Sequence, residues 1–198
     1  MPMSGGQTAA AYMGVWVVMM VAMMSPALVP VLNRYRRSVP GPGVALVGTG
    51  YFFVWTLVGG AAYLSECAIA GAELAWPGLS RFVPVLAGVT LLLAGCVQLT
   101  AWKRRHLARC RACEPPPAAD AWSAGRHGLR LGVNCALCCA GFMTVLLVTG
   151  MMNLVTIALV AAAITVERLA PAPARTARGL GAAILVVGAV AVGRSLRP

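Results

Sequence analysis

Cysteine and methionine carry the chemistry in this chain. Cys135, Cys138 and Cys139 fall within five positions of the string N-C-A-L-C-C-A-G-F-M, and Met143 follows one turn later. On an α-helix the step from 135 to 139 is i, i+4 and that from 135 to 138 is i, i+3, so the three thiols occupy about 100° of one face. A disulfide between residues so placed constrains little. In a reducing compartment such a cluster reads as ligands for a soft metal. A single cysteine in an apolar helix is ordinarily a small hydrophobe, but three in five positions is harder to explain by packing.

The second group is Met13, Met19, Met20, Met23 and Met24, just ahead of Pro26 and Pro30. Met13, Met20 and Met24 fall within about 40° of one another on a helix, with Met23 beside them. Thioethers are soft donors that suit Cu(I). The same stripe is also what a gap-filling side chain would give. The third group, His106, Cys110 and Cys113 in K-R-R-H-L-A-R-C-R-A-C, pairs a His and a Cys at i, i+4 with a C-x-x-C step. That spacing can capture or hand over a metal, although it is only half of a structural zinc site. The surrounding arginines equally suit a redox-active pair, or a solvated basic loop held by anionic lipid.

The elements that must position these groups are apolar. The 198 residues are 60% hydrophobic and 11% charged, with a mean hydropathy of +0.81. A soluble domain carries about 25% charged residues, so the expectation is a chain that lives in a bilayer. The net charge of +11 does not point to nucleic acid, because the chain has little water-facing surface on which to spread it. No basic residue precedes Arg34, so the charged start of a secretory signal is missing and the first apolar run is expected to belong to the mature fold.

A span needs about 20 apolar residues, and six runs qualify: 9–32, 44–65, 83–102, 130–149, 152–169 and 178–194. The fourth and fifth are divided at Gly150, Met151, Met152 and Asn153, the most polar and helix-weak point of one long stretch; without that division the count is five. Thirteen of the sixteen basic residues then collect in alternate loops, leaving Arg81, Arg194 and Arg197 on the other side. The positive-inside rule places both termini outside the cytoplasm and a basic loop, residues 103–129, inside it. Pro115, Pro116 and Pro117 make that loop extended.

Helix rise gives the depths. Met23 and Met24 lie about 12–14 Å from the cytoplasmic end of the first span, Cys139 about 13 Å past Arg130, and Cys96 about 10 Å before Lys103. The three helices thus offer sulfur at one level, which permits adjacency without showing it. Glu167, next to Arg168, is expected to face headgroups. Gln98, Asn134 and Asn153 are expected to bond helix to helix. There is no G-x-x-x-x-G-K-[ST], H-E-x-x-H or G-x-S-x-G string, and the two histidines both lie in the basic loop. Nucleotide-driven transport, zinc proteolysis, serine hydrolysis and paired-His haem ligation therefore lack their signatures, and an enzyme is the less favoured class.

The chain resembles a family of uncharacterised bacterial proteins described as predicted metal-binding integral membrane proteins. The resemblance rests on W-x-x-M-x-x-A-M-M-x-P-x-x-x-P from Trp16 to Pro30, and on a Lys-led cysteine segment from Lys103 to Arg111. It rests also on G-x-x-C-x-x-C-C-x-x-x-M from Gly132 to Met143, on G-x-M-N-L from Gly150 to Leu154, and on the pair Glu167 and Arg168. Where that pattern usually has Cys this chain has His106, and where it usually has an aromatic after the paired cysteines this chain has Ala140. The resemblance implies metal binding within a membrane.

The expected fold is an all-α polytopic transmembrane bundle, a single integral domain over residues 1–198 in a bacterial cytoplasmic membrane. The expected function is binding of a soft metal, Cu(I), for transport or for transfer to a copper-receiving protein. Cys135, Cys138, Cys139, Met143, Met20, Met23 and Met24 line the site, Cys96 lies at its level, and His106, Cys110 and Cys113 exchange metal with the cytoplasm. Membrane lipids and other membrane subunits are the further partners. The competing reading is a small structural or assembly subunit of a larger complex, such as a copper-dependent monooxygenase or oxidase, in which the same sulfurs only pack. A membrane thiol-redox protein is a third.

Overall fold

The computed structural model describes residues 8–38, 43–76, 78, 81–111, 120–150 and 153–195. Within them the chain is all-helical: α1 (Ala9–Ser38), α2 (Gly43–Ala75), α3 (Val83–Leu99), α4 (Ala101–Arg111), α5 (Ala121–Thr149), α6 (Leu154–Leu169) and α7 (Pro173–Ser195). Four of these, α1, α2, α5 and α7, are long and apolar enough to cross a membrane, and the bent pair α3 and α4 makes a fifth when counted as one broken span. At 16 residues, α6 falls short of the roughly 20 that cross the full hydrocarbon. The six apolar runs are thus six helices, of which the fifth is a short one. Large apolar side chains face outward on several helices: Val18, Phe53, Leu57, Leu64, Leu93, Leu159 and Val186 are exposed. Such surfaces are compatible with membrane insertion.

The division between the fourth and fifth runs holds, for a local reason. Gly150 ends α5 at φ 95°, a conformation that a side chain would strain. Asn153 then caps α6, its Oδ1 accepting from the amides of Val155 at 3.0 Å and Thr156 at 3.2 Å. The expected interhelical role of Asn153 gives way to this one, since the first amides of a helix have no other partner.

The basic segment differs from its expected form. Instead of an extended loop, residues 101–111 are helix α4, and α5 begins at Ala121 behind the N-cap Asp120, nine residues before Arg130. Pro115, Pro116 and Pro117 lie outside the described residues. A 65° bend separates α3 from α4, and Thr100 makes it. Its backbone is extended, its hydroxyl donates to the Val97 carbonyl at 2.7 Å, and its Oγ1 accepts from the Lys103 amide at 3.3 Å. One side chain closes the first helix and caps the second. Beyond the bend, Lys103, His106, Leu107 and Cys110 are buried while Arg104, Arg105 and Arg109 stay exposed. This i, i+3, i+4, i+7 stripe turns the chemistry of α4 inward.

At the centre, α5 packs on α2, α3, α4 and α6. Its approach to α2 depends on small residues: a Cβ on Gly128 would collide with the Val47 backbone, and one on Gly132 would stand 2.9 Å from the Tyr51 carbonyl oxygen. Close backbone approach of this kind is how helices associate where solvent supplies no hydrophobic drive. Gly128→Ala is expected to cost about 1–3 kcal/mol by overpacking. Thermal unfolding of the detergent-solubilised protein tests it, with the exposed-side Gly60→Ala, whose Cβ meets nothing within 4 Å, as the neutral control.

Candidate metal centre

Helix α1 presents Met19, Met20, Met23 and Met24 to the interior, all buried in one cluster with Cys135, Cys139 and Met143 of α5. Trp16 sets the register, donating its indole N–H to the Trp55 carbonyl of α2 at 2.8 Å while its ring fills the space beside Gly59. The result is direct sulfur contact: Cys135 Sγ lies 3.9 Å from Met24 Sδ and 4.0 Å from Cys139 Sγ. A first-row metal–thiolate bond is about 2.3 Å, so three sulfurs sharing one trigonal ion stand about 4 Å apart. Both spacings match that figure. Among the described residues no three His, Cys, Asp or Glu side chains group closely enough to hold a metal ion, and the third sulfur beside Cys135 and Cys139 is the thioether of Met24.

The three thiols of α5 do not act as one face. Cys135 and Cys139 look toward α1 and α2, where the Tyr51 hydroxyl is hydrogen-bonded to Cys135 Sγ at 2.9 Å. Cys138 looks toward α4 and α7, packed with Leu107, Cys110 and Ala177. An arc of about 100° is wide enough to straddle two interhelical grooves, and the packing divides it. Cys110 and Cys138 share one buried cluster, while Cys139, the next residue along α5, belongs with Cys135 and Met24 to the other.

Other expected ligands fall differently. Cys96 is exposed on α3; the inward positions of that helix are taken by Ala94, Gly95 and Gln98, so its thiol joins neither cluster although its depth was read as suitable. His106 is buried against Trp102, ring centroids 4.5 Å apart, with Nδ1 lacking a partner among the described residues. Cys113 lies outside the described residues. Gln98 is buried, but its amide finds no partner among the described residues in place of the expected interhelical bond.

The largest departure concerns charge. Glu167 does not face headgroups: it is buried, and both of its oxygens meet Lys103 Nζ, at 2.8 and 3.1 Å. Lys103 also donates to the Cys138 carbonyl and lies 5.0 Å over the Phe142 ring. The pair pins α4 and α6 to α5. Directly after Glu167, Arg168 turns its guanidinium into the sulfurs, with Nη2 at 2.8 Å from Cys135 Sγ, 3.6 Å from Cys139 Sγ and 3.9 Å from Cys110 Sγ. A cation thus already stands among the thiols. Tyr51, Lys103, Glu167 and Arg168 had no assigned role in the site. An acid–base pair closing an apolar run was the available signal, because ionisable groups within a membrane are seldom idle.

A family model described as copper chaperone, PpoB2, matches residues 13–191. The chain belongs to the PpoB2 copper chaperone family. Copper handling in general follows from that membership, and the metal-binding character implied by the earlier resemblance stands at that level. No curated protein and no solved structure matches the chain. The matched region takes in every described sulfur of the cluster, from Met19 on α1 to Met143 on α5.

Proposed function

We propose that this protein is an integral membrane copper chaperone that holds Cu(I) between Met24 of α1 and Cys135 and Cys139 of α5, and releases it to a copper-receiving protein. The observation that carries the reading is the pair of sulfur spacings, 3.9 and 4.0 Å, on two different helices. Two thiols and a thioether form a soft donor set that favours Cu(I) over harder cations, which seek oxygen. Binding replaces two thiol protons with one metal ion and leaves the site one negative charge, which Arg168 is placed to balance. The surrounding apolar helices keep water, and with it oxidation, away from the sulfurs.

In this reading α6, although short, completes a sixth crossing, and both termini lie outside the cytoplasm. The Arg34, Arg36, Arg126, Arg130, Arg168, Arg175 and Arg178 ends of the helices then lie on the cytoplasmic side. A membrane-impermeant maleimide is expected to reach Cys113 in inverted vesicles and Cys67 in right-side-out cells; the opposite pattern reverses the topology. The function itself is tested by anaerobic titration of the purified protein with Cu(I) against a chromophoric chelator. One tightly held ion per chain is the expected result. No retained copper, together with stable co-purifying subunits, would transfer the protein to the structural-subunit reading.

A further inference from the structure

Helices α1, α2, α5 and α6 close a ring around the sulfurs: α1 packs against α2 and α6, and both of these pack against α5. Helix α1 therefore faces α5 across the ring. Tyr35 of α1 lies beside Gly43 at the start of α2 and Trp16 beside Gly59, so α1 and α2 are antiparallel, while Gly128 against Val47 and Gly132 against Tyr51 make α2 and α5 parallel. It follows that α1 and α5 are antiparallel, and the contact of Met24 with Cys135 sets their levels. At a rise of about 1.5 Å per residue, and counting away from the basic end of the bundle, Met20 stands about 6 Å beyond Met24, level with Cys139. Met143 stands about 12 Å beyond Cys135, and Met13 about 16 Å beyond Met24. Met20 and Met143 are buried in one cluster with the thiols, and Met13 packs against it.

This column of sulfur has a direction. Helix α1 has no Met or Cys after Met24 and α5 has none before Cys135, so both helices extend their donors toward one end only. Thiols stand at the basic end, with Cys110 of α4 reached through Arg168 Nη2 at 3.9 Å, and thioethers lie beyond them. Charge follows the same axis. The Arg168 guanidinium sits against the thiols, whereas at the far end Glu66 of α2 accepts from the hydroxyl of Tyr12, the neighbour of Met13, at 3.3 Å. A cation in the column is pushed from the guanidinium toward the carboxylate. Leucine would fill the same space; methionine adds a soft donor on a flexible stem that can reach across a gap of about 6 Å between rungs.

We propose that Met20, Met143 and Met13 form a path along which Cu(I) leaves the thiol site for the end of the bundle marked by Glu66, so that the protein moves copper across the membrane as well as holding it. The proposal rests on the reading of Met24, Cys135 and Cys139 as a Cu(I) site in a membrane-spanning bundle, and adds a route and a direction. Each step is a ligand exchange: one copper–sulfur bond forms as another breaks, and copper stays Cu(I). The Cys135 and Cys139 thiolates left behind take up from water the two protons that binding displaced.

The test uses the full chain in phospholipid vesicles, with Cu(I) supplied outside as its glutathione complex, the impermeant chelator bathocuproine disulfonate trapped inside, and potassium with its ionophore to cancel charge build-up. Wild-type vesicles are expected to colour the chelator well above protein-free ones. Met13→Leu combined with Met20→Leu is expected to slow that signal at least about tenfold, because leucine keeps the volume and loses the donor, while equilibrium Cu(I) affinity stays within about threefold of wild type. The lipid-facing Val18→Leu should change neither. If the double variant does not fold, Met13→Leu alone, at a half-buried position, carries the same expectation of slowed transfer with unchanged affinity. Wild-type protein that binds Cu(I) but delivers none to the lumen, a Met variant that delivers at the wild-type rate, or equal slowing in Val18→Leu overturns the path and leaves the thiol site standing. Failure of the wild-type protein to bind Cu(I) at all overturns the underlying reading.

Discussion

Cys135→Ser combined with Cys139→Ser is expected to lower Cu(I) affinity by about a thousandfold, equivalent to about 4 kcal/mol, with the protein still monodisperse in detergent. Serine nearly matches cysteine in size, and its hydroxyl can bond the carbonyl one turn earlier, so the packing of α5 changes little. As a hard oxygen donor it does not replace a thiolate for Cu(I). Cys138→Ser is the informative partner. Because Cys138 faces α4 and not Met24, it should leave equilibrium affinity within a few fold of wild type. Chelator competition under anaerobic conditions measures both. Should the pair of substitutions leave affinity intact while Cys138→Ser abolishes it, the ion would sit between α4 and α5 and the Met24 site would be wrong.

Glu167→Gln is expected to destabilise the protein by about 3–5 kcal/mol, the usual cost of leaving one member of a buried ion pair unpaired. Lys103 is almost fully buried, and with the carboxylate gone its ammonium keeps only the Cys138 carbonyl and the face of Phe142. The paired variant Lys103→Met with Glu167→Leu removes both charges and should recover most of that loss, because an apolar pair of similar volume carries no desolvation penalty. Thermal unfolding gives the comparison. A stable Glu167→Gln protein, or a double variant no better than the single one, would mean that the two residues do not hold α4, α5 and α6 together. The same variant reports on the metal site. Arg168 follows Glu167 directly, so loosening the ion pair is expected to free the guanidinium from Cys135 and Cys139 and to change copper affinity together with stability.

Periodicity, composition and turn chemistry by themselves determined a good deal. The excess of apolar residues over charged ones pointed to long apolar helices, which the fold has and which are compatible with membrane insertion, and the helix-weak Gly150 to Asn153 break is local chemistry that needs no tertiary context. The Met stripe of α1 and the cysteine cluster of α5 were expected at one level from helix rise alone, and Met24 does meet Cys135. Interhelical packing decided the rest. Rotation about a helix axis turns Cys96 outward and parts Cys138 from Cys135, and no spacing within one helix records which neighbour it faces. The bend at Thr100 carried a segment read as a basic loop into the interior, where Lys103 meets a carboxylate 64 residues away. Arg168 escaped notice for the same reason. Its charge suggests water or headgroups until the fold brings three thiols of α4 and α5 around the end of α6, and a partner for that charge exists only in three dimensions.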